Sequence, residues 1–315
     1  MQNNLILTGA KMTAINFKEI LEYGLRSQLA YTISQIGWDI TETLGWRVPN
    51  PSKLIIREVR RSEVNVIVEV DDLTQTQWIA VRGSSNLRNW LLNFRYMQRS
   101  FNKNFMDRRV NIDLHTGFYI AADDVYKAIL PHLNKEYKTR IAGHSLGGAI
   151  AVILMMFLKE DGYQLEKCIT FGQPKVTDRK GAQMCQHLPL LRIINHEDVV
   201  PLLPPGTILT RLQGGYHHFG SKIVLGEENG YTYTQPQALD NSMYNFWMRL
   251  ISAIGQKNIR YSTENIKDHN LAFYLLKIAV NLGNPEQSLE KLLCNLSYET
   301  GEFYSQLNCL NFSKV

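Results

Sequence analysis

Thr139-Arg140-Ile141-Ala142-Gly143-His144-Ser145-Leu146-Gly147-Gly148-Ala149-Ile150-Ala151 is the stretch from which the rest of the chain is read. A short apolar strand enters Gly-His-Ser-Leu-Gly, and an apolar helix leaves it. This strand, sharp turn and helix are the context that a G-x-S-x-G nucleophile elbow requires. A serine on so sharp a turn is held at strained backbone angles, and Gly143 and Gly147 lack the Cβ atoms that would collide with the crossing strand and helix. Ser145 Oγ is presented at the carboxyl end of the strand, and the helix N-terminus aims the Leu146 N–H at the same spot. Ser145 is the candidate nucleophile and Leu146 half of a candidate oxyanion hole. Five residues also match by chance in a plain strand–helix turn, so an acid, a base and a second oxyanion donor must come from elsewhere.

At 315 residues the chain has the length of one large α/β domain, and its 44% hydrophobic and 20% charged content is ordinary for a globular protein with a real core. No repeat or Ser/Gly/Pro-rich linker divides it, so residues 1–283 are expected to form one domain and 284–315 a C-terminal extension. The stretch Met1 to Lys11 has no basic segment and only the short apolar run Leu5-Ile6-Leu7, unlike a secretory leader. The run Ala149 to Leu158 falls short of the ~20 residues that span a bilayer. Cys168, Cys185, Cys294 and Cys309 show no C-x-x-C spacing, which predicts neither a zinc site nor a disulfide framework. A cytoplasmic protein, in peripheral contact with a membrane at most, is the expectation. The net charge of +5 is mildly basic and compatible with an anionic surface as partner.

Residues 16–38 carry apolar side chains at helical spacing, with Asn16 as N-cap. Leu54 to Arg60, Val64 to Val70 and Trp78 to Val81 read as antiparallel strands. After the third strand, Gly83 permits a turn and Ser84 offers an N–H and a hydroxyl at the sheet edge, making Ser84 the candidate second oxyanion donor. Ser85 to Asn93 places Leu87, Trp90, Leu91 and Leu92 on a short amphipathic helix, which suits a lid over an apolar cleft or, alternatively, an ordinary helix folded onto the core. Asn93 to Asp113 interleaves Arg95, Arg99, Lys103, Arg108 and Arg109 with aromatic residues. That pattern suits docking on an anionic lipid surface or a solvated loop; with no RNP-type or OB-type pattern beside it, nucleic acid is not an expected partner. From Arg140 to Asn195, strands and helices alternate (KCITF at 167–171, LLRIIN at 190–195), the signature of a mostly parallel sheet with helices on both faces. Asn241 to Gly255 and Leu271 to Gly283 read as helices.

The acid belongs just beyond a strand that follows the nucleophile. Asp198, in Asn195-His196-Glu197-Asp198-Val199-Val200-Pro201, precedes an apolar pair and a proline that stiffens the loop; Glu197 is the fallback and Asp178 a further alternative, readable equally as a helix cap. The chain order Ser…Asp…His leaves His217, His218 and His269 as bases. The first two lie in a Gly-rich turn, whereas His269 sits on a polar turn leading into an apolar helix, which favours it.

The ordered motifs VRGSSNLRNWLLN, HTGFY, GHSLGGAIA, TFGQPKVTD, NHEDVVPLLPP and DHNLAFY, from Val81 to Tyr274, resemble the class 3 lipases, the fungal-lipase-like branch of the α/β-hydrolases. The resemblance implies an α/β-hydrolase fold and two-step acyl transfer without metal or organic cofactor. It assigns Ser145 as nucleophile, Asp198 as acid, His269 as base, Ser84 and Leu146 as oxyanion donors, and the segment with Leu87, Trp90 and Leu91 as lid. Expected substrates are acylglycerols, presented at a membrane or lipid-droplet surface, with phospholipid or galactolipid acyl hydrolysis as the near alternative and a non-catalytic lipase-like binding protein as the distant one. Many fungal members are secreted and disulfide-bonded, features absent from the motifs seen here.

Overall fold

A computed structural model of the chain describes residues 15–36, 53–59, 64–83, 100–105, 108–195, 198–204, 215–226, 230–235 and 269–282. Its strands are β1 (Lys53–Val59), β2 (Val64–Asp71), β3 (Thr76–Val81), β4 (Ser100–Phe105), β5 (Arg108–His115), β6 (Lys138–His144), β7 (Gln164–Phe171), β8 (Thr177–Asp178), β9 (Leu190–Asn195), β10 (Tyr216–His217), β11 (Ser221–Leu225) and β12 (Tyr231–Thr234). Its helices are α1 (Phe17–Ile36), α2 (Thr116–Ile129), α3 (Leu146–Glu160), α4 (Arg179–Met184) and α5 (Leu271–Asn281). The sequence expectations at 241–255 and 284–315 lie outside the described residues.

The main sheet runs β1-β2-β3-β6-β7-β9-β11-β12. The β1-β2-β3 meander and the β11-β12 hairpin are antiparallel, and the strands from β3 through β6, β7 and β9 to β11 are parallel neighbours. Successive side chains of a strand face opposite ways, and here both faces are covered. Val66, Val68, Ile79, Val81 and Ile141 pack with α2 and α3; Ile67, Trp78, Ala80, Ala142, Ile169 and Phe171 pack with α1 and α5. Double coverage explains why the central strands read as continuous apolar runs. It also explains α3, whose residues Gly147 to Leu158 are all buried, the mark of a core helix.

Helix α1 begins as its sequence predicts, with Asn16 Oδ1 accepting the Glu19 N–H at 3.1 Å. It is fixed on the sheet by Arg26, whose Nε donates to Glu69 Oε2 at 3.0 Å with both side chains buried. The Arg26 guanidinium also lies 3.6 Å from the Trp78 ring centroid, so packing and charge pairing hold the helix together.

A second sheet, β10-β8-β5-β4, is an addition to the expected architecture. It turns most of the basic, aromatic stretch into the antiparallel β4–β5 hairpin. That hairpin joins the body through Ile112 and Leu114, which are fully buried, and through β8, where Thr177 Oγ1 donates to Asp113 O at 3.0 Å.

His115 ends this hairpin and caps α2, its Nδ1 accepting the Phe118 N–H. Burial lowers its pKa from 6.5 to about 4. Between those values the unfolded chain binds a proton there and the folded chain does not, so stability rises with pH from about 4 to 6.5. Urea unfolding across that range is expected to show His115 contributing roughly 3 kcal/mol of that rise. His115→Asn, which keeps a capping side chain, is expected to flatten the slope without abolishing it, because burial also depresses His144 and His218.

Candidate active site

Four parallel strands deliver the site. Their registers pair Val81 with Gly143, His144 with Phe171, and Phe171 with Ile193. Consequently the segments that follow β3, β6, β7 and β9, carrying Gly83, Ser145, Gly172 and Asp198, leave the same edge of the sheet side by side.

Ser145 has φ 58° and ψ −128°, backbone angles that cost a non-glycine residue about 1–3 kcal/mol and persist only where the surroundings fix them. They are fixed here: the Ser145 N–H donates to Phe171 O at 2.9 Å, and its carbonyl accepts from Gly148 N at 3.0 Å and Ala149 N at 3.2 Å. A Cβ at Gly143 would strike the Gly147 carbonyl, and one at Gly147 would strike the Val81 carbonyl, so both glycines answer to close backbone approach. Leu146 opens α3, where its N–H has no acceptor within the helix and lies at the positive end of the helix dipole.

Across the edge, His269 Nδ1–H donates to Asp198 Oδ2 at 2.6 Å, with side chains 2% and 0% exposed. The carboxylate is fully engaged: Oδ1 accepts the Val200 N–H at 2.8 Å, and Oδ2 also accepts the Tyr274 hydroxyl at 2.5 Å. The backbone on both sides is tied down. The Asp198 N–H donates to Asn195 O at 3.0 Å, Pro201 lies in the helical turn Val200–Leu202, and Asn270 caps α5 by accepting the Ala272 N–H at 3.0 Å. Lys277 on α5 donates to Asn195 Oδ1 at 2.6 Å, joining the helix that follows His269 to the strand that precedes Asp198.

Gly172 forms the floor beneath this pair. Its φ is +56°, and a Cβ there would lie 2.7 Å from both Asp198 Oδ2 and His269 Cε1. Gly172→Ala is expected to push the pair out of register and to lower kcat/KM on a soluble ester about 100-fold, the scale of an ångström-sized misplacement. The same variant is expected to unfold at lower temperature because alanine is strained at positive φ.

His144 links the two halves. Its ring stacks on that of His269 with centroids 4.6 Å apart, and its Nε2–H donates to the His269 carbonyl at 2.7 Å. A carbonyl only accepts, so Nδ1 is the unprotonated nitrogen and receives the Tyr31 hydroxyl at 2.9 Å. Burial and the neighbouring His269 push the His144 pKa well below the ordinary value, keeping the ring neutral. Among the described residues, Ser145 Oγ and His269 Nε2 are left as buried polar atoms with no hydrogen-bond partner. One is a hydroxyl and the other, with Nδ1 donating to the carboxylate, a free imidazole lone pair.

The sequence alternatives fall elsewhere. Asp178 caps α4, accepting the Gly181 N–H at 2.9 Å; His217 pairs with Thr177 in the second sheet; and His218 Nε2–H donates to Pro201 O at 2.6 Å. Glu197, Ser84, and Leu87, Trp90 and Leu91 lie outside the described residues, although Gly83 is close to the elbow, a Cβ on it lying 3.2 Å from Ser145 Cβ. Sequence reasoning missed Tyr31, Tyr274 and the role of His144. Tyr274 closes the DHNLAFY motif and was the one with a visible signal. Among the described residues no group of three or more His, Cys, Asp or Glu is placed to hold a metal ion, and no helix is long and apolar enough to cross a membrane.

A mostly parallel sheet with helices on both faces, a strained serine between strand and helix, and a buried pair made by an aspartate beyond a strand and a histidine ahead of a helix define an α/β-hydrolase. Residues 78–208 match the family model described as Lipase (class 3). The secreted mono- and diacylglycerol lipase 1 of Fusarium solani is 29% identical over 195 residues, 56% of this chain and 53% of that protein. The chloroplastic phospholipase A1 PLIP2 of Arabidopsis thaliana is 29% identical over 147 residues, 42% of this chain and 20% of that protein. The solved structure of Rhizomucor miehei triacylglyceride lipase shares the fold, with a TM-score of 0.57 at 24% identity over 82% of this chain and 95% of that one. The chain spans about half or less of the length of the curated relatives it matches.

The expected cytoplasmic location does not stand. It rested on a missing leader-like run and scattered cysteines, both absences, and an absence carries no address; the Fusarium solani relative is named as secreted.

Proposed function

We propose that the chain is a serine carboxylester hydrolase that cleaves acyl esters of glycerolipids, acylglycerols first, through an acyl-enzyme. The observation that carries this is the buried 2.6 Å Asp198–His269 bond on the strand edge where Ser145 is held at φ 58°. His269, oriented by Asp198, takes the Ser145 proton as Oγ attacks the ester carbonyl. The tetrahedral oxyanion is received by the Leu146 N–H and by Ser84, each such donor worth about 2.7–4 kcal/mol in the transition state. His269 returns the proton to the departing alcohol, and water then repeats the sequence on the acyl-enzyme. Ser145 Oγ and His269 Nε2, both among the buried atoms without a hydrogen-bond partner in the described residues, are the pair between which that proton passes.

Support for the lipid class comes from the family match and from the substrates printed in the relatives' names. A polar-lipid acyl hydrolase is the second reading, favoured by the Arabidopsis thaliana relative and by the basic residues of the stretch before His115. Substrate is met at a membrane or lipid-droplet surface, with the segment containing Leu87, Trp90 and Leu91 as its cover.

The test is hydrolysis of a short-chain ester, mono-, di- and triacylglycerol emulsions, and galactolipid and phospholipid vesicles, with Ser145→Ala alongside. Release of fatty acid from acylglycerols, lost in the variant, is the expected result. Preference for a phospholipid or galactolipid moves the assignment to the polar-lipid hydrolase. Folded protein with no turnover above the variant on any substrate would sink the hydrolase assignment in favour of a lipase-like binding protein.

A further inference from the structure

The α1 helix precedes the stretch matched by the lipase family model, yet it reaches into the site through one side chain. Tyr31 sits about four turns beyond the start of α1, packed among the residues between that helix and the sheet. Its hydroxyl donates to His144 Nδ1 at 2.9 Å and lies against the Gly83 backbone. A Cβ at Gly83 would strike this same hydroxyl, so glycine is what lets the backbone come so close. His144 in turn donates to the His269 carbonyl at 2.7 Å. The result is a continuous path in which the Gly83 backbone packs on Tyr31 Oη, and hydrogen bonds run from Tyr31 to His144 and from His144 to the His269 backbone.

The three segments on this path are those that must agree for acyl transfer. Gly83 precedes Ser84, His144 precedes Ser145, and His269 carries the base. They come from sequence positions far apart, and no covalent geometry sets their mutual distance. Tyr31 is itself held from outside the path, because the buried Arg26–Glu69 pair and the Arg26–Trp78 contact fix α1 on the sheet. The ring of His144 stays neutral through burial, which preserves the donor at one nitrogen and the acceptor at the other.

We propose that Tyr31 is a positioning residue for the Ser145 site: packed against Gly83 and donating to His144, it holds the end of β3 at Gly83 against the elbow and the base. It touches no substrate and acts through the segments it joins. This deepens the hydrolase assignment and rests on it for its kinetic consequence, whereas the coupling itself is a property of the folded chain.

The test is Tyr31→Phe in the full chain, with Tyr23→Phe as control. Tyr23 lies on the same helix, and its hydroxyl is buried with no hydrogen-bond partner among the described residues, so the same atom is removed without touching the path. On a soluble short-chain ester, Tyr31→Phe is expected to lower kcat about 10- to 100-fold, below the roughly 100- to 1000-fold loss of a whole oxyanion donor. KM is expected to stay within about twofold, since the loss falls on the transition state, and Tyr23→Phe is expected to match wild type. Amide exchange of the Arg82–Gly83 segment is expected to rise at least about tenfold in Tyr31→Phe alone, as the strand end loses the polar group that ties it to His144. Unchanged kcat with unchanged exchange in folded Tyr31→Phe overturns the proposal, and so does an equal fall in both variants, which would mark general loosening of α1. If wild-type protein hydrolyses nothing, the hydrolase assignment fails and the exchange measurement alone decides whether Tyr31 couples the segments.

Discussion

Replacing Ser145 by alanine is expected to lower kcat on any ester the protein cleaves by about 10⁶-fold, the scale on which removal of a serine nucleophile acts when base and acid work only through it. Folding should be nearly unaffected. The Ser145 hydroxyl makes no hydrogen bond among the described residues, so its removal forfeits no interaction, and alanine tolerates the strained turn no worse than serine does. A residual rate well above that of water alone is expected, because the Leu146 N–H and the binding surface remain. Thermal unfolding together with kcat separates this outcome from a folding defect: activity collapses while Tm stays within a few degrees.

Asp198→Asn is expected to lower kcat about 10⁴-fold, for a reason visible in the bonds around the carboxylate. All three neighbours are donors. Val200 N–H addresses Oδ1, while His269 Nδ1–H and the Tyr274 hydroxyl both address Oδ2. An asparagine must turn its own N–H₂ toward one side or the other. Facing His269, it forces the imidazole into the tautomer with the proton on Nε2, so that the nitrogen meant to receive the Ser145 proton is already occupied. Facing Val200, it sets its side-chain N–H₂ against the Val200 backbone N–H, two donors opposed in a buried site, at a cost of about 1–3 kcal/mol. Activity loss is therefore accompanied by a measurable fall in Tm, in contrast to Ser145→Ala. A kcat within tenfold of wild type would show that Asp198 does not orient the base.

The parts of the fold that could be read from the sequence are those whose causes are local. The run from Arg140 through the elbow to Leu158 combines a strand, two glycines required by crossing backbones and a helix apolar on every side, each imposed by burial. KCITF and LLRIIN are readable for the same reason, lying under helices on both faces. The second sheet escaped because β8 and β10 are two residues each, too short for any alternation, and because a run rich in arginine and aromatics resembles a docking surface as much as a hairpin. At the site, Ser145, Asp198 and His269 stand in ordered motifs, and the geometry brings the last two into contact. Tyr31 stands in no such motif, and Tyr274, although it closes DHNLAFY, carries no sign of its partner. Tyr31 meets His144 across 113 positions and Tyr274 meets Asp198 across 76, and a tyrosine in an apolar helix gives no sign of which polar atom its hydroxyl will find. Gly172 was visible as a residue, but its necessity lies in the Asp–His pair resting upon it.

The most direct measurement is covalent labelling of the wild-type protein with a p-nitrophenyl dialkyl phosphate, read by nitrophenol release and by peptide mass mapping. This reagent phosphorylates a serine that is activated by a neighbouring base and spares ordinary hydroxyls. The expected result is one equivalent of nitrophenol per chain, with the added mass on the peptide containing Ser145 and labelling abolished in Asp198→Asn or His269→Ala. Label on another residue, or none on folded protein, would contradict the assignment of Ser145 as the nucleophile.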